Sequence, residues 1–344
     1  MGQPARSPAS GAPVADTSGA GEGGLSRRLF LGAGATTLGL AAAGCSAVPA
    51  TQKARTRLQL TLSPPTGPYP VGTVPLHLVD RSRQDPWVPA RPRELMVSVW
   101  YPALDAGRFP PAPWIPEAAG ALSLEQLTRI ADTRFVLDEL AALDSGVNPD
   151  AEQRPLPAGL TRALDLTEIG MFGHSLGGAT AAKVMAADAR IGAGIDLDGS
   201  LFLTNPSLHL DPEKAGAAVG RHIGDRPFMI MSSHGAGIHN DPSWRGFWPN
   251  LRGWRLFLTM RNSLHYTYTD LEEVLTQLLA AGIIPPKLAN LLVRQWIGTV
   301  NPARAVAAER AYIGAFFDLH LRGRASKLLD HPSPDQPDIQ FLGR

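Results

Sequence analysis

Ile169-Gly170-Met171-Phe172-Gly173-His174-Ser175-Leu176-Gly177-Gly178 is the stretch that decides the fold. Ile169 to Phe172 is an apolar run suited to a short buried strand, and Gly178 to Ala187 reads as a helix of small residues. Between them, Gly173-His174-Ser175-Leu176-Gly177 fits G-x-S-x-G. Strand, tight turn, helix is the setting in which this motif forms a nucleophile elbow, with the serine held in a strained conformation at the top of a sheet. The flanking glycines are expected where a Cβ would keep strand and helix apart. Ser175 Oγ is then exposed, and the Leu176 N–H, at a helix N-terminus, can face a developing oxyanion. The competing reading is an ordinary Gly-rich turn. The strand-like run before the motif and the Ala-rich run after it favour the elbow.

Working outward, Ile191 to Gly199 reads as a strand ending in acids, Asp196 and Asp198. Pro227 to Ser233 is a fully apolar strand, suited to a parallel sheet covered on both faces. Gly235 to Gly253 reads as an aromatic-rich loop with Trp244, Phe247 and Trp248, and Trp254 to Met260 as a further strand. Helices are predicted over Asp270–Ala281, Ala289–Ile297, and from Asn301-Pro302 to about Leu321, followed by a Pro-rich tail from Asp330. Upstream, Arg57–Ser63, Val74–Asp80 and Arg93–Pro102 read as strands of an antiparallel start. In the second, His77 alternates with Leu76 and Leu78 and is read as a strand-face residue. Leu122–Leu143 has helical periodicity, with Leu124, Leu127, Ile130, Phe135, Leu137, Leu140 and Leu143 near one face. Strands alternating with helices after residue 165 predict an α/β fold with a mostly parallel sheet and antiparallel N-terminal strands.

The bulk properties limit the options. The 344 residues, 44% hydrophobic and 18% charged, suffice for one large domain. A formal net charge of +1 gives no nucleic-acid footprint and no polybasic membrane patch. The sole cysteine, Cys45, excludes an intrachain disulfide. Residues 1–24, rich in Gly, Ala, Ser and Pro, are expected to be disordered. Arg27-Arg28 leads into Leu29–Ala43, an apolar stretch short for a bilayer span and similar to a twin-arginine export signal. Leu40-Ala-Ala-Ala-Gly-Cys45 resembles a lipobox, although Ala42 stands where leucine is usual, so Cys45 is the expected lipidation site, with free secretion as the alternative. The resulting organisation is a leader over 1–45, a linker over 46–56 and a single domain over 57–344. The expected location is the cell envelope or beyond, with membrane contact only through an anchor at Cys45.

A serine hydroxyl needs a base, and the imidazole needs an acid to fix its tautomer. In an elbow fold the chain order is Ser, acid, His. Of nine histidines, His174 adjoins the serine and diverges from it. His265, five residues beyond Met260 and before a helix, fits the base. His234 and His239, after the preceding strand, are second choices; His209, His222, His320 and His331 are placed less suitably. Three acids compete. Asp241 follows the later strand, while Asp196 and Asp198 alternate with Leu197 and should share one face, Asp198 being nearer the carboxyl end.

Gly173-His-Ser-Leu-Gly-Gly-Ala-Thr180, Gly194-Ile-Asp-Leu-Asp198 and Arg261-Asn-Ser-Leu-His265 resemble the plasma-type platelet-activating-factor acetylhydrolases and bacterial secreted lipase/esterase relatives, within the α/β-hydrolase fold. The resemblance is better over residues 130–320 and weaker over 57–102. It implies Ser175 as nucleophile, Asp198 as orienting acid, His265 as general base, and hydrolysis of short acyl lipid esters without a metal or other cofactor. One part of the pattern is missing. The family has a strand, a helix and a strand between the antiparallel start and the helix before the elbow, and the first of those strands ends in a turn that donates half of the oxyanion hole. Residues 103–130 hold no such run, so the elbow strand loses its expected neighbour and either has an open edge or pairs differently. Losing one oxyanion donor costs about 10²–10³ in rate. Beside the esterase reading therefore stands a catalytically weak or inert envelope lipoprotein that binds lipid or protein. An acyltransferase using the same triad is more distant.

Overall fold

A computed structural model of the chain describes residues 60–104, 106–109, 126–202 and 211–344. The leader, Arg27-Arg28, Cys45 and the linker lie outside the described residues, as do residues 110–125 and His209. Leu58–Arg344 forms one compact unit. In chain order its elements are β1 (Val71–Gln84), β2 (Pro92–Pro102), α1 (Gln126–Asp144), β3 (Ile169–His174), α2 (Leu176–Ala187), β4 (Ile191–Leu197), α3 (Pro212–Ile223), β5 (Phe228–Ser232), α4 (Pro242–Phe247), β6 (Arg255–Met260), α5 (Leu271–Ala280), α6 (Pro286–Leu292), α7 (Pro302–Arg322) and β7 (Ile339–Gly343).

The main sheet has the order β3-β4-β5-β6-β7. Its first four strands are parallel, and β7 joins antiparallel to β6. The near-continuous apolar runs of β5 and β6 follow from cover on both faces. Met229 and Met231 pack with Leu256, Leu258 and Met260 against Ala305, Ala308, Tyr312 and Phe316 of α7. The alternate residues Phe228, Ile230 and Phe257 pack on the other face, against Val184 and Met185 of α2 and Trp244 and Phe247 of α4. Helix α2 is buried along most of its length, which its alanines and glycines permit.

β1 and β2 form a separate antiparallel hairpin. Leu76 and Leu78 of β1 are buried, and ion pairs to α1 add to the hold. Arg83 and Arg93 both reach Asp132 of α1, at 3.0 and 2.8 Å, and Arg93 also pairs with Asp85 at 2.9 Å. Among the described residues β3 is an edge strand of the main sheet, and Phe172 is 52% exposed on it. A cleft of 1480 Å³ lies between hairpin and β3, lined by Arg93, Met96, Asp132 and Phe172 and reaching Gly177.

Three sequence expectations are corrected. Leu60–Ser63 is no strand; it is a strap whose backbone is satisfied by helix side chains. The Thr61 N–H donates to Gln277 Oε1 at 2.9 Å, the Ser63 N–H to Glu273 Oε2 at 2.9 Å, and Arg310 donates to the Ser63 and Pro64 carbonyls. The aromatic segment 235–253 is not a loop throughout. Asp241 accepts from Ser243 N and Trp244 N, Pro242 occupies the first turn, and α4 follows. The Pro-rich tail returns as β7, seating Ile339 in the core. α7 starts with Pro302 in its first turn, as expected, and Asn301 caps it, its side chain accepting from Arg304 N.

Candidate functional site

Ser175 sits between the end of β3 and the start of α2 with φ 58° and ψ −123°. A positive φ at a non-glycine residue is strained, by about 1–3 kcal/mol, and such strain collects at functional turns. Two glycines make the turn possible. A Cβ on Gly173 would lie 2.5 Å from the Gly177 carbonyl carbon, and one on Gly178 would lie 2.0 Å from Asp196 Oδ1. Gly177 departs from expectation: a Cβ there would meet nothing within 4 Å. The close approach of strand and helix thus rests on Gly173, the first glycine of the motif, and on Gly178, the residue that follows it. Leu176 opens α2, so its N–H belongs to the first turn, where amides have no intrahelical partner.

His265 joins the serine to an acid. Ser175 Oγ donates to His265 Nε2 at 2.8 Å, and His265 Nδ1–H donates to Asp198 Oδ2 at 2.7 Å. The imidazole side chain is 41% exposed while that of Asp198 is 7% exposed, so the site is open at the serine end and closed at the acid end. Asp198 is held by more than the histidine. Its Oδ1 accepts the Ser233 N–H at 2.7 Å and its own N–H donates to the Met231 carbonyl at 2.9 Å. Like Ser175 it has a positive φ, 56°.

That conformation corrects the expectation that Asp196 and Asp198 share a face. β4 ends at Leu197, the alternation stops there, and the two carboxylates have different partners. Asp196 is fully buried. It accepts the Gly199 N–H at 2.8 Å and the Trp244 indole N–H at 3.3 Å, and burial raises its pKa well above the ordinary value. It braces the turn that carries Asp198. Asp241 caps α4. His234 and His239 are exposed on the loop after β5. His222 lies on α3, His320 of α7 packs against Trp254 with the rings tilted, and His331 is exposed in the tail.

His174 has a role the spacing did not reveal. Its Nε2–H donates to the His265 carbonyl at 2.7 Å, and the two rings lie 4.5 Å apart. Burial, then the neighbouring His265, lowers its pKa and favours the neutral ring. The first-oxyanion-donor region, residues 103–121, is described only at 103, 104 and 106–109. Among the described residues, no group of three or more His, Cys, Asp and Glu side chains could hold a metal ion. No described helix is long and apolar enough to cross a membrane.

A mostly parallel sheet covered on both faces, with a strained serine at a strand–helix turn, defines an α/β-hydrolase fold. The relatives are esterases. A ferulic acid esterase from Streptomyces cinnamoneus superposes with a TM-score of 0.61 at 29% identity, over 82% of this chain and 98% of that one. A probable 1-alkyl-2-acetylglycerophosphocholine esterase of Arthroderma benhamiae is 28% identical over 183 residues. That match covers 51% of this chain and 43% of the relative, so the chain spans less than half of that protein's length. No protein-family model matches.

Proposed function

We propose that the protein is a serine carboxylic-ester hydrolase acting on short-acyl lipid esters through Ser175, His265 and Asp198. The observation that carries this reading is the single imidazole placed 2.8 Å from Ser175 Oγ and 2.7 Å from Asp198 Oδ2. In this reading Ser175 Oγ attacks the acyl carbon as its proton passes to His265 Nε2. The Leu176 N–H stabilises the oxyanion of the tetrahedral intermediate. His265 then protonates the leaving alkoxide, and an acyl group remains on Ser175. Water, deprotonated by His265, releases the acid. Asp198 keeps the Nδ1–H tautomer and balances the imidazolium. Support for ester hydrolysis comes from the two esterases named above, and the short-acyl lipid class rests on the probable 1-alkyl-2-acetylglycerophosphocholine esterase alone. Export by the twin-arginine route, with a lipid at Cys45, belongs to the same proposal and rests on Arg27-Arg28 and the Leu40–Cys45 segment.

Turnover of p-nitrophenyl acetate tests the proposal, with an sn-2 acetyl phospholipid as the second substrate. Ser175→Ala should lower kcat by about 10³-fold or more. The edge that β3 presents among the described residues favours a second reading, a hydrolase-derived binding lipoprotein. Equal background rates in the parent and Ser175→Ala would support that reading instead.

A further inference from the structure

β3 ends on His174, immediately before the nucleophile. Side chains alternate along a strand, so His174 shares a face with Gly170 and Phe172, the face on which Phe172 meets Phe317 of α7 at 6.0 Å. The strand end is firmly registered. His174 pairs with Leu197 of β4, and the Ser175 N–H donates to the Leu197 carbonyl at 2.8 Å. His265 stands on different ground. It opens a single 3₁₀ turn after an irregular segment that leaves β6 at Met260 and has a positive φ, 59°, at Asn262.

That segment is fixed one carbonyl at a time. The Asn262 carbonyl accepts the Thr299 and Val300 N–H groups at 2.7 and 3.1 Å. The Ser263 carbonyl accepts the His234 N–H at 3.3 Å, and the Leu264 carbonyl the Thr267 N–H at 3.0 Å. The carbonyl of His265 itself takes a side-chain donor, the His174 ring, at 2.7 Å. The two imidazoles lie 4.5 Å apart, tilted by 44°. This tie on the base therefore comes from the residue beside the nucleophile, and from a strand rather than a loop. A hydrogen bond so placed sets where the His265 imidazole lies relative to Ser175 Oγ, which is 2.8 Å from its Nε2.

The chemistry of the ring suits the task. A neutral imidazole has one donor and one acceptor, and a bond to a carbonyl fixes its proton on the bonded nitrogen, here Nε2. Burial, then His265, disfavours the charged form of His174. The ring thus adds no positive charge beside a base that becomes an imidazolium during the reaction. A phenylalanine would fill the same space and leave the His265 carbonyl without this donor. We propose that His174 is a positioning residue for ester hydrolysis, holding His265 in line with Ser175 through the His265 carbonyl. This role rests on the ester-hydrolase reading above and adds to the triad a side chain that touches neither the substrate nor the transferred proton.

The test uses the full chain with two substitutions. His174→Phe keeps a ring and loses the donor, while His174→Gln places an amide N–H near the position of Nε2. On p-nitrophenyl acetate, His174→Phe should lower kcat about 10- to 100-fold with KM within about twofold of the parent. His174→Gln should restore kcat to within about fivefold. Labelling of Ser175 by a fluorophosphonate should slow in the same order, since it reads activation of the serine. A residue that only packs would shift the melting temperatures and leave kcat of the folded protein unchanged. A second measurement needs no variant at position 174. In Ser175→Ala, ¹H–¹⁵N NMR of the histidine rings should find the His174 proton on Nε2 and in slow exchange with solvent. Parent-like kcat and labelling in His174→Phe overturn the proposal, as do equal losses in His174→Phe and His174→Gln, or a His174 proton on Nδ1. A parent no faster than Ser175→Ala overturns the hydrolase reading and this role with it, whereas an active parent matched by His174→Phe overturns the role alone.

Discussion

The two flanks of the cleft are built on different principles. On one side, β4 to β6 are paired along both edges and packed on both faces, and Asp198 and His265 follow the carboxyl ends of β4 and β6, beside Ser175 at the end of β3. On the other, the hairpin β1–β2 pairs with neither edge of that sheet and is tied to α1 by arginine–aspartate contacts. β3 belongs to both situations, paired with β4 inside and open outside. The difference teaches where precision is needed. A hydrogen-bonded constellation must be held to within a fraction of an ångström, and dense packing does that. A wall of the cleft has no such requirement, and a few buried side chains, Leu76 and Leu78, with the arginine–aspartate pairs hold it.

The largest test of this contrast is on the packed side. Asp198→Asn should keep the fold and lower kcat by about 10³–10⁴-fold, because the amide no longer enforces the Nδ1–H tautomer. Steady-state rates on a soluble ester, with a melting curve as control, read this directly. Next, Gly178→Ala should cost on the order of 2–3 kcal/mol, since its Cβ would collide with Asp196 and the Gly173 carbonyl. Gly177→Ala should be neutral or slightly stabilising, having open space before it on a helix. Urea midpoints of the pair would break the account of the elbow if their order were reversed.

On the ionic side, Arg93→Ala removes contacts to both Asp85 and Asp132. It should lower stability by about 1–3 kcal/mol while leaving kcat on p-nitrophenyl acetate within about twofold. The two flanks should also respond to pH in opposite directions. Asp150, beside the hairpin, is held well below the usual carboxylate range by the Arg154 guanidinium. Its contribution is present above the unfolded pKa and is lost as pH falls through the depressed folded value. Glu272, on α5, is 1% exposed and desolvation pushes its pKa up to about 8. There the folded state holds the extra proton, so stability falls as pH rises from the unfolded value, about 4.3, towards 8. Glu272→Gln should remove that decline, so that its effect on stability is favourable at pH 8 relative to pH 4. Melting temperatures at the two pH values sharpen or break the contrast.

How much of this was legible in the sequence follows the same division. The elbow was readable because an apolar run, a Gly-Ser-Gly pattern and a small-residue helix are local features. His265 was readable from its place after an apolar strand. Asp198 was not separable from Asp196 and Asp241 by spacing, because the choice depends on where β4 stops. One residue of early termination turns Asp198 away and leaves Asp196 beneath Trp244. The hydrogen bond from His174 to the His265 carbonyl joins residues 91 apart in sequence and carries no local signal. β7 was hidden for a similar reason: five residues after prolines gain strand character only by pairing with β6. The helix α4, by contrast, had a visible Asp241-Pro242 start that the density of aromatics obscured.

The central claim is that His265 and Asp198 make Ser175 a nucleophile. The most direct measurement is intact-mass and peptide mapping after exposure to a fluorophosphonate, which reacts with activated serines. The account predicts one phosphonyl adduct, located on Ser175, with labelling slowed by at least about 10²-fold in His265→Gln. An unlabelled chain, an adduct on another residue, or equal labelling rates in the parent and His265→Gln would contradict it.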